Sequence, residues 1–515
     1  INFNIKMNTV TTEEERKIFH FLKSQGCCLR CCFRFIGYRT SECYCKPSEF
    51  AARLSYTDIK DDASMEETTC IACLGVLQDK AQKNVVTKIA EKVKEKDYDC
   101  ITFTCALTVP VSVKLREHIL YAYMSKEMDI HKSILSTFKT KLQNVKDIWK
   151  SFIIPQLEQA TGKHAHLLTP SPFLIEVLLM YADDEMIFKE LTSTCRINEH
   201  KGGNNKRQKK RKCNDNKFSR KNVDTLLIEM TDEQFMRHFT ISQIIPKTFV
   251  YVDDVLCSHS SIFIGGRYNK LSRKLSQTPW LVNGEKKVET SVQDLLCNPI
   301  AEMVKAESIK FLSSGREDVD VRNIYGGRPF AIELLNPRMT NITNELLMCL
   351  TSSINQSTKQ VQITSNLKVL SRFDLKKLKE GENVKTKFYR ALCVCRDVSG
   401  GLPSLEHLNE LENVKIIQRT PLRVLHRRPL SPRTRIIYKM RARWAKSHEL
   451  KELLSTAVES TDTFFVLDVE TQAGTYVKEF VHGDFGRTKP SLCDFLNNEV
   501  DIVALDVTGI NLKWP

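Results

Sequence analysis

Two Cys-x-x-Cys pairs constrain this chain more than any other feature: Cys28-Leu-Arg-Cys31 and Cys70-Ile-Ala-Cys73. Each pair can set two thiolates about one tetrahedral ion, and two pairs close a structural four-cysteine zinc site. The 38 residues between them exceed the usual zinc-ribbon spacing of roughly 15–20. Loop-closure entropy grows slowly with length, so such an insert is tolerable. Cys27 and Cys32 flank the first pair as stand-ins, and Cys43 and Cys45 lie between the pairs. Buried free cysteine is the simpler alternative. Four thiolates leave no open position for water, so zinc here would be structural rather than catalytic. A zinc deaminase would need a His-x-Glu beside its cysteines, and the chain contains none. Neither pair clearly opens a helix after a strand, which disfavours a redox role. Ten of the 18 cysteines fall in the first 105 residues, and the start INFNIKMNTV carries neither the basic nor the apolar region of a secretory signal. The expectation is therefore metal or free thiols rather than disulfides.

The 515 residues correspond to about three domains, with two or four also compatible. The longest apolar runs fall far short of the ~20 residues of a membrane span, so no membrane partner is expected. The net charge of +15 is concentrated: residues 201–221 hold ten Lys/Arg and one acid, and residues 421–446 hold nine and none. Two such patches suit a polyanion such as nucleic acid, although charge runs are often only solvated. Residues 199–222 lack apolar periodicity and read as a disordered basic insert. Within it, Lys206–Lys212 (KRQKKRK) fits a nuclear-localisation signal.

Periodicity predicts helices over Thr11–Gln25, Asp79–Lys96 and Leu115–Lys126, and strands over Ile101–Val109 and Pro172–Met180. Further along, strands are expected at Thr248–Val255, Ser261–Gly265, Pro329–Leu335, Thr386–Cys395 and Thr463–Thr471, with helices at Ser291–Lys310 and Thr343–Ile354. The fold class is α+β, with a largely antiparallel sheet in the C-terminal half. The division is expected at 1–255 and 256–515.

The most polar compact segment of that half is Gly315-Arg316-Glu317-Asp318-Val319-Asp320-Val321-Arg322. It reads as a turn entering a strand, with Asp318 and Asp320 on one face. Glu317, Asp318 and Asp320 could hold two metal ions in a nuclease. A single nucleophilic carboxylate flanked by arginines is the other chemistry. Three basic segments carry an aromatic residue: Gly266–Arg273 with Tyr268, Lys385–Arg390 with Tyr389, and Gly474–Lys478 with Tyr476. Aromatics among cations suit an unstacked RNA base, the ring stacking while the cations hold phosphates. No Gly-rich loop between a strand and a helix suggests a methyltransferase cofactor.

GREDVDVR, GGRPFAIELLNP, KTKFYRAL, TPLRVLHRRP and TQAGTYVKEFVHGDFGRTKPSL resemble the Pus-ten family of tRNA pseudouridine synthases. GRYNKLSRKLSQTPW, the paired knuckles, CFRFIG and CLGVLQ resemble the same family. The likeness is strong over 256–515 and patchier over 1–255. It implies a C-terminal pseudouridine synthase fold, and an N-terminal accessory domain with a zinc site and a THUMP-type RNA-binding part. It implies isomerisation of uridine 54, uridine 55 or both in the T-loop of tRNA, with structural zinc and no organic cofactor. By the same resemblance the GR-x-D turn makes Asp318 the catalytic aspartate. Tyr389 and Tyr476 line the base pocket, and Lys478 or Arg487 pairs with the aspartate. Arg316 belongs to the same turn. Arg267, Lys270, Arg423, Arg427 and Arg428 are expected to meet RNA, the last three in a loop or arm broken by Pro429 and Pro432. The attack at the base C6 or the ribose C1′ is left open. A monomer in nucleus and cytoplasm is expected. The competing class is an RNA-binding adaptor for stem-loop RNA, such as microRNA precursors, with catalysis secondary.

Overall fold

The computed structural model describes residues 12–56, 68–128, 132–166, 169–184, 240–384, 386–397, 399–454 and 463–515, with scattered residues between 186 and 236. The insert 199–222, including Lys206–Lys212, lies outside the described residues. Two compact units emerge, Ile1–His259 and Ser260–Pro515. The secondary structure is mixed α+β.

In the first unit, helix Asp79–Lys96 occupies its expected range and buries Val85, Ile89 and Val93 together with Gln82. Gln82 is tolerated inside because its carbonyl accepts from the Trp149 indole at 2.6 Å and its amide donates to the Val76 carbonyl at 2.8 Å. Strand Thr102–Thr108 alternates buried and half-buried residues, as its period of two requires. It lies parallel to His164–Ala165 on one side and to Phe173–Met180 on the other, and Tyr251–His259 pairs antiparallel with the latter. Helix Leu29–Ile36 starts at Cys28 and stops at Gly37, whose φ is 98°. After the second cysteine pair, Gly75 has φ +92°, and a Cβ there would sit 2.4 Å from the Phe249 ring. Only glycine fits that turn.

The second unit is built on an eleven-stranded sheet. Its centre runs Ile262–Lys270, Arg322–Leu335, Val500–Ile510, Thr386–Cys395, Phe464–Gln472, Arg433–Trp444, Glu412–Gln418. Val500–Ile510 against Arg322–Leu335 is parallel, and the other pairs along this path are antiparallel. Helices Val292–Met303 and Asn344–Ser357 pack on one core with Ile264, Phe330 and Ile332. The helix expected to reach Lys310 ends at Met303, and Ser308–Ser313 forms a strand. The expected arm after Arg423 is instead a short 3-10 turn, Leu422–Arg427, then strand Arg433–Trp444. Pro429 and Pro432 lie in the connection between them, where no ladder hydrogen bond is required of their missing N–H groups.

Candidate active site and candidate metal centre

The turn at 315–321 leaves strand Ser308–Ser313 and enters strand Arg322–Leu335. Gly315 opens it with φ +90°, and a Cβ there would lie 3.1 Å from Lys387 Nζ and 3.2 Å from Arg328 Nη1. Glu317 points inward. Its buried carboxylate meets Arg328 at 2.6 Å and accepts from the Tyr268 hydroxyl at 2.8 Å and the Gln277 amide at 3.3 Å. The turn's carbonyls are gripped from below. Lys270 Nζ donates to Asp318 O and Val319 O at 3.0 and 2.7 Å, and Arg273 donates to Asp320 O at 3.1 Å. Arg273 also pairs with the buried Asp506, which takes Arg322 on its other oxygen. Burial lowers the Lys270 pKa to about 8, against the pull of Glu317 and Asp320.

Held this way, Asp318 presents a carboxylate that keeps 35% of its exposure. Arg423 meets it at 2.7 Å and Lys478 at 3.8 Å. Lys478 sits closer to Asp320, at 2.6 Å. Burial pushes the Asp320 carboxyl up, but the Lys478 hydrogen bond and charge outweigh it and leave its pKa below the usual range. Arg423 is aimed by Glu479, a buried carboxylate 2.6 Å from its Nε, and its guanidinium lies 5.9 Å from the Tyr476 ring centroid. Tyr476 caps helix Val477–His482. Gln418 fixes its backbone twice, accepting from Tyr476 N and donating to Tyr476 O, both at 2.9 Å. Tyr389 lies in strand Thr386–Cys395 and packs against the core under the sheet. Burial raises its pKa to about 12, with Arg328 opposing and Asp318 and Glu317 adding. Beside Tyr476 an open concavity is lined by Arg419, Arg428, Arg433 and Arg435.

The Pus10 C-terminal family matches residues 263–511, and the eukaryotic Pus10 N-terminal family matches residues 70–257. The tRNA pseudouridine synthase Pus10 of Mus musculus is 34% identical over 553 residues, covering 98% of this chain and 98% of its own. The chain belongs to the Pus10 family. The human tRNA pseudouridine synthase Pus10 is 32% identical with 98% of both chains covered. The tRNA pseudouridine synthase Pus10 of the archaeon Thermofilum pendens is 38% identical over 48% of this chain and 52% of its own. A solved Cbf5-Nop10-Gar1 complex aligns at TM-score 0.24 and 16% identity over 47% of this chain and 48% of that one.

In this Pus10-family chain several expected RNA contacts face inward. Arg267 donates to the carbonyls of Trp514, Gly326, Gly327 and Leu512. Lys270 is fully buried and Tyr268 is sealed beside Glu317. Their strand lies inside the sheet, paired with Val361–Ile363 and Arg322–Leu335, and their side chains end on backbone carbonyls and on Glu317 rather than in solvent. Arg487 does not reach Asp318. It donates to Thr420 O at 3.1 and 2.6 Å and lies 3.6 Å from Asp484. Arg316 donates to Thr278 at 2.9 Å. Arg428 is exposed at the concavity, and the Arg427 side chain lies outside the described residues. Glu317, Asp318 and Asp320 do not converge, since Glu317 is engaged by Arg328, so the two-metal arrangement is not formed. Glu479 and Gln418 hold Arg423 and Tyr476 in place, and no spacing in the sequence singles them out. The Lys-Glu step after Tyr476 is a signal only once helix Val477–His482 is known.

Among the described residues, Cys28, Cys31, Cys70 and Cys73 form a group that could hold a metal ion, their sulfurs all within 4.8 Å of one another. Backbone N–H groups of Cys28 and Leu77 point at the sulfurs of Cys70 and Cys73 at 3.2 and 3.5 Å. The buried Arg34 guanidinium lies 3.5 Å from Cys31 Sγ. Donors aimed at sulfur suit thiolates that carry charge, and the four-sulfur set suits a soft, tetrahedral ion. Cys27, Cys32, Cys43 and Cys45 stand outside the group.

Proposed function

We infer that this chain is a tRNA pseudouridine synthase. It is an isomerase that breaks the N1–C1′ bond of a uridine, turns the uracil and joins C5 to C1′. The observation that carries the reading is the Asp318 carboxylate, partly exposed at 2.7 Å from Arg423 and 3.8 Å from Lys478, in a Pus10-family chain. Asp318 is the nucleophile, at the base C6 or the ribose C1′, and the two cations orient it and balance its charge. The reaction is redox-neutral: the proton lost from C5 is matched by one gained at N1. Tyr389 keeps its proton at neutral pH, given a pKa of about 12, so it acts as an apolar wall and hydrogen-bond donor rather than a base. Tyr476 lines the same pocket. The substrate position is uridine 54, uridine 55 or both in the T-loop. The arginines around the concavity hold the phosphates on either side of the extruded base.

The second unit is read as a pseudouridine synthase fold and the first as an RNA-binding accessory unit with a THUMP-type part. Cys28, Cys31, Cys70 and Cys73 would hold zinc there as a cross-link, and no step of the isomerisation passes through it. Lys206–Lys212 is read as a nuclear-import signal, and its removal should shift a tagged chain from the nucleus to the cytoplasm. For the reaction, the test is pseudouridine in bulk tRNA, wild type against Asp318→Asn. Loss of product with RNA binding retained supports the reading, and unchanged product removes Asp318 from the chemistry.

A further inference from the structure

One apolar side chain near this site makes no use of the protein interior. Phe485 is 94% exposed, the highest value among the exposed large hydrophobic residues described. It stands on a turn in which four consecutive residues have left-handed backbone, Gly483, Asp484, Phe485 and Gly486, with φ of 75°, 48°, 56° and 78°. A bulky residue rarely adopts such a φ, and strain of this kind persists only where the surroundings over-determine it.

The surroundings do so here. Asp484 is buried, and its carboxylate accepts from Leu422 N at 3.2 Å while Arg487 lies 3.6 Å away. Asp484 N donates to His482 Nδ1 at 3.1 Å, Arg487 N to Asp484 O at 3.1 Å, and Arg419 N to Arg487 O at 2.9 Å. Arg487 in turn grips Thr420 O. The turn is therefore fixed on both sides to the 419–422 segment. That segment leads directly to Arg423, which holds Asp318, and its Arg419 and Thr420 line the cationic concavity beside Tyr476. The result is an aromatic ring held out in solvent on a fixed backbone turn, tied to the segment that carries both the concavity's Arg419 and the Arg423 cation on Asp318.

A solvated phenyl ring on a fixed turn tied to a cationic segment matches an unstacked nucleobase: the ring supplies a π-face and the arginines take the phosphates. We propose that Phe485 is a wedge that stacks on the nucleobase next to the target uridine and fills the gap left when that uridine is extruded. The proposal rests on the synthase reading above. It adds a contact that holds the RNA open, distinct from Tyr389 and Tyr476, which line the pocket for the target base itself.

The test uses the full-length chain and a T-arm hairpin RNA. Affinity is measured in the Asp318→Asn background, so turnover does not intervene. Phe485→Ala should weaken binding roughly 5- to 150-fold, matching ~1–3 kcal/mol per stacked base. Phe485→Trp should keep it, and Phe485→Leu should not. The thermal midpoint of Phe485→Ala should be unchanged or raised, since the ring is solvated rather than packed in the interior. With 5-iodouridine placed beside the target, a photocross-link should map to Phe485. Affinity of Phe485→Ala within twofold of its parent, or a leucine as good as phenylalanine, overturns the wedge and leaves the synthase reading intact. Absence of pseudouridine from the wild-type reaction overturns both.

Discussion

The cysteine cluster and the carboxylate turn are both held by deeply buried cations, yet they are finished in opposite ways. In the first unit Arg34 is fully buried and directs its donors at Cys31, Glu117 and the Gln143 carbonyl. Three of the four cysteines of the cluster are buried, and the site closes on itself. In the second unit Arg328 and Lys270 are equally buried, but they hold only the underside of the turn through Glu317 and the 318–319 carbonyls. Asp318 is left facing outward between two cations. A sealed cluster suits stability; a fixed base under an open carboxylate suits chemistry. The same kind of buried cation supports a closed cysteine cluster in one case and an accessible carboxylate in the other, and what differs is which atoms remain accessible.

The largest effect that could break this contrast is metal removal. Structural zinc contributes apparent free energies of ~10–16 kcal/mol in small zinc-binding peptides. Cys28→Ser with Cys70→Ser should abolish about one zinc per chain and unfold the first unit, seen as loss of its thermal transition. Metal analysis that finds zinc unchanged would move the ion elsewhere. Next comes Glu317→Gln, which strands the buried Arg328 charge and should cost ~3–5 kcal/mol in urea unfolding of the second unit. A cost below about 1 kcal/mol would show that the ion pair is not what fixes the turn.

Glu479→Gln should act more gently. It releases Arg423 from one side, so kcat should fall by about tenfold with KM for tRNA little changed, since the fold keeps Gln418 and Tyr476. A change in KM alone would assign Arg423 to substrate binding. The last effect concerns pH. The folded Lys270 releases its proton near pH 8, whereas its ordinary value is 10.5. Between those values the unfolded chain binds more protons, so this residue makes stability rise with pH across that window. Lys270→Met should flatten the rise in a series of denaturation curves. An equal slope in the variant would mean that Lys270 titrates normally.

Much of this was legible in one dimension. Helix Asp79–Lys96 and strand Thr386–Cys395 announce their bounds because their apolar residues repeat with the period of a helix or a strand. The GR-x-D turn and the two cysteine pairs are compact motifs. What escapes is decided by pairing across the fold. Strand Val500–Ile510 lies near the middle of the sheet although it contains Asp506, a fully buried acid neutralised by Arg273 and Arg322 from distant segments. The cations of Gly266–Arg273 look like an RNA patch, but in the fold Arg267 and Lys270 end on backbone carbonyls and Arg273 on the buried Asp506. Arg423 looks like one more cation of a basic arm until Glu479 fixes its direction.

The most direct measurement is pseudouridine in the T-loop of tRNA, made by the full-length wild-type chain and by its Asp318→Asn variant, under single turnover with saturating protein. The account predicts that the substitution lowers the rate on the order of 10³-fold or more, while RNA affinity stays within a few-fold of wild type. Pseudouridine formed at the wild-type rate by that variant would contradict it.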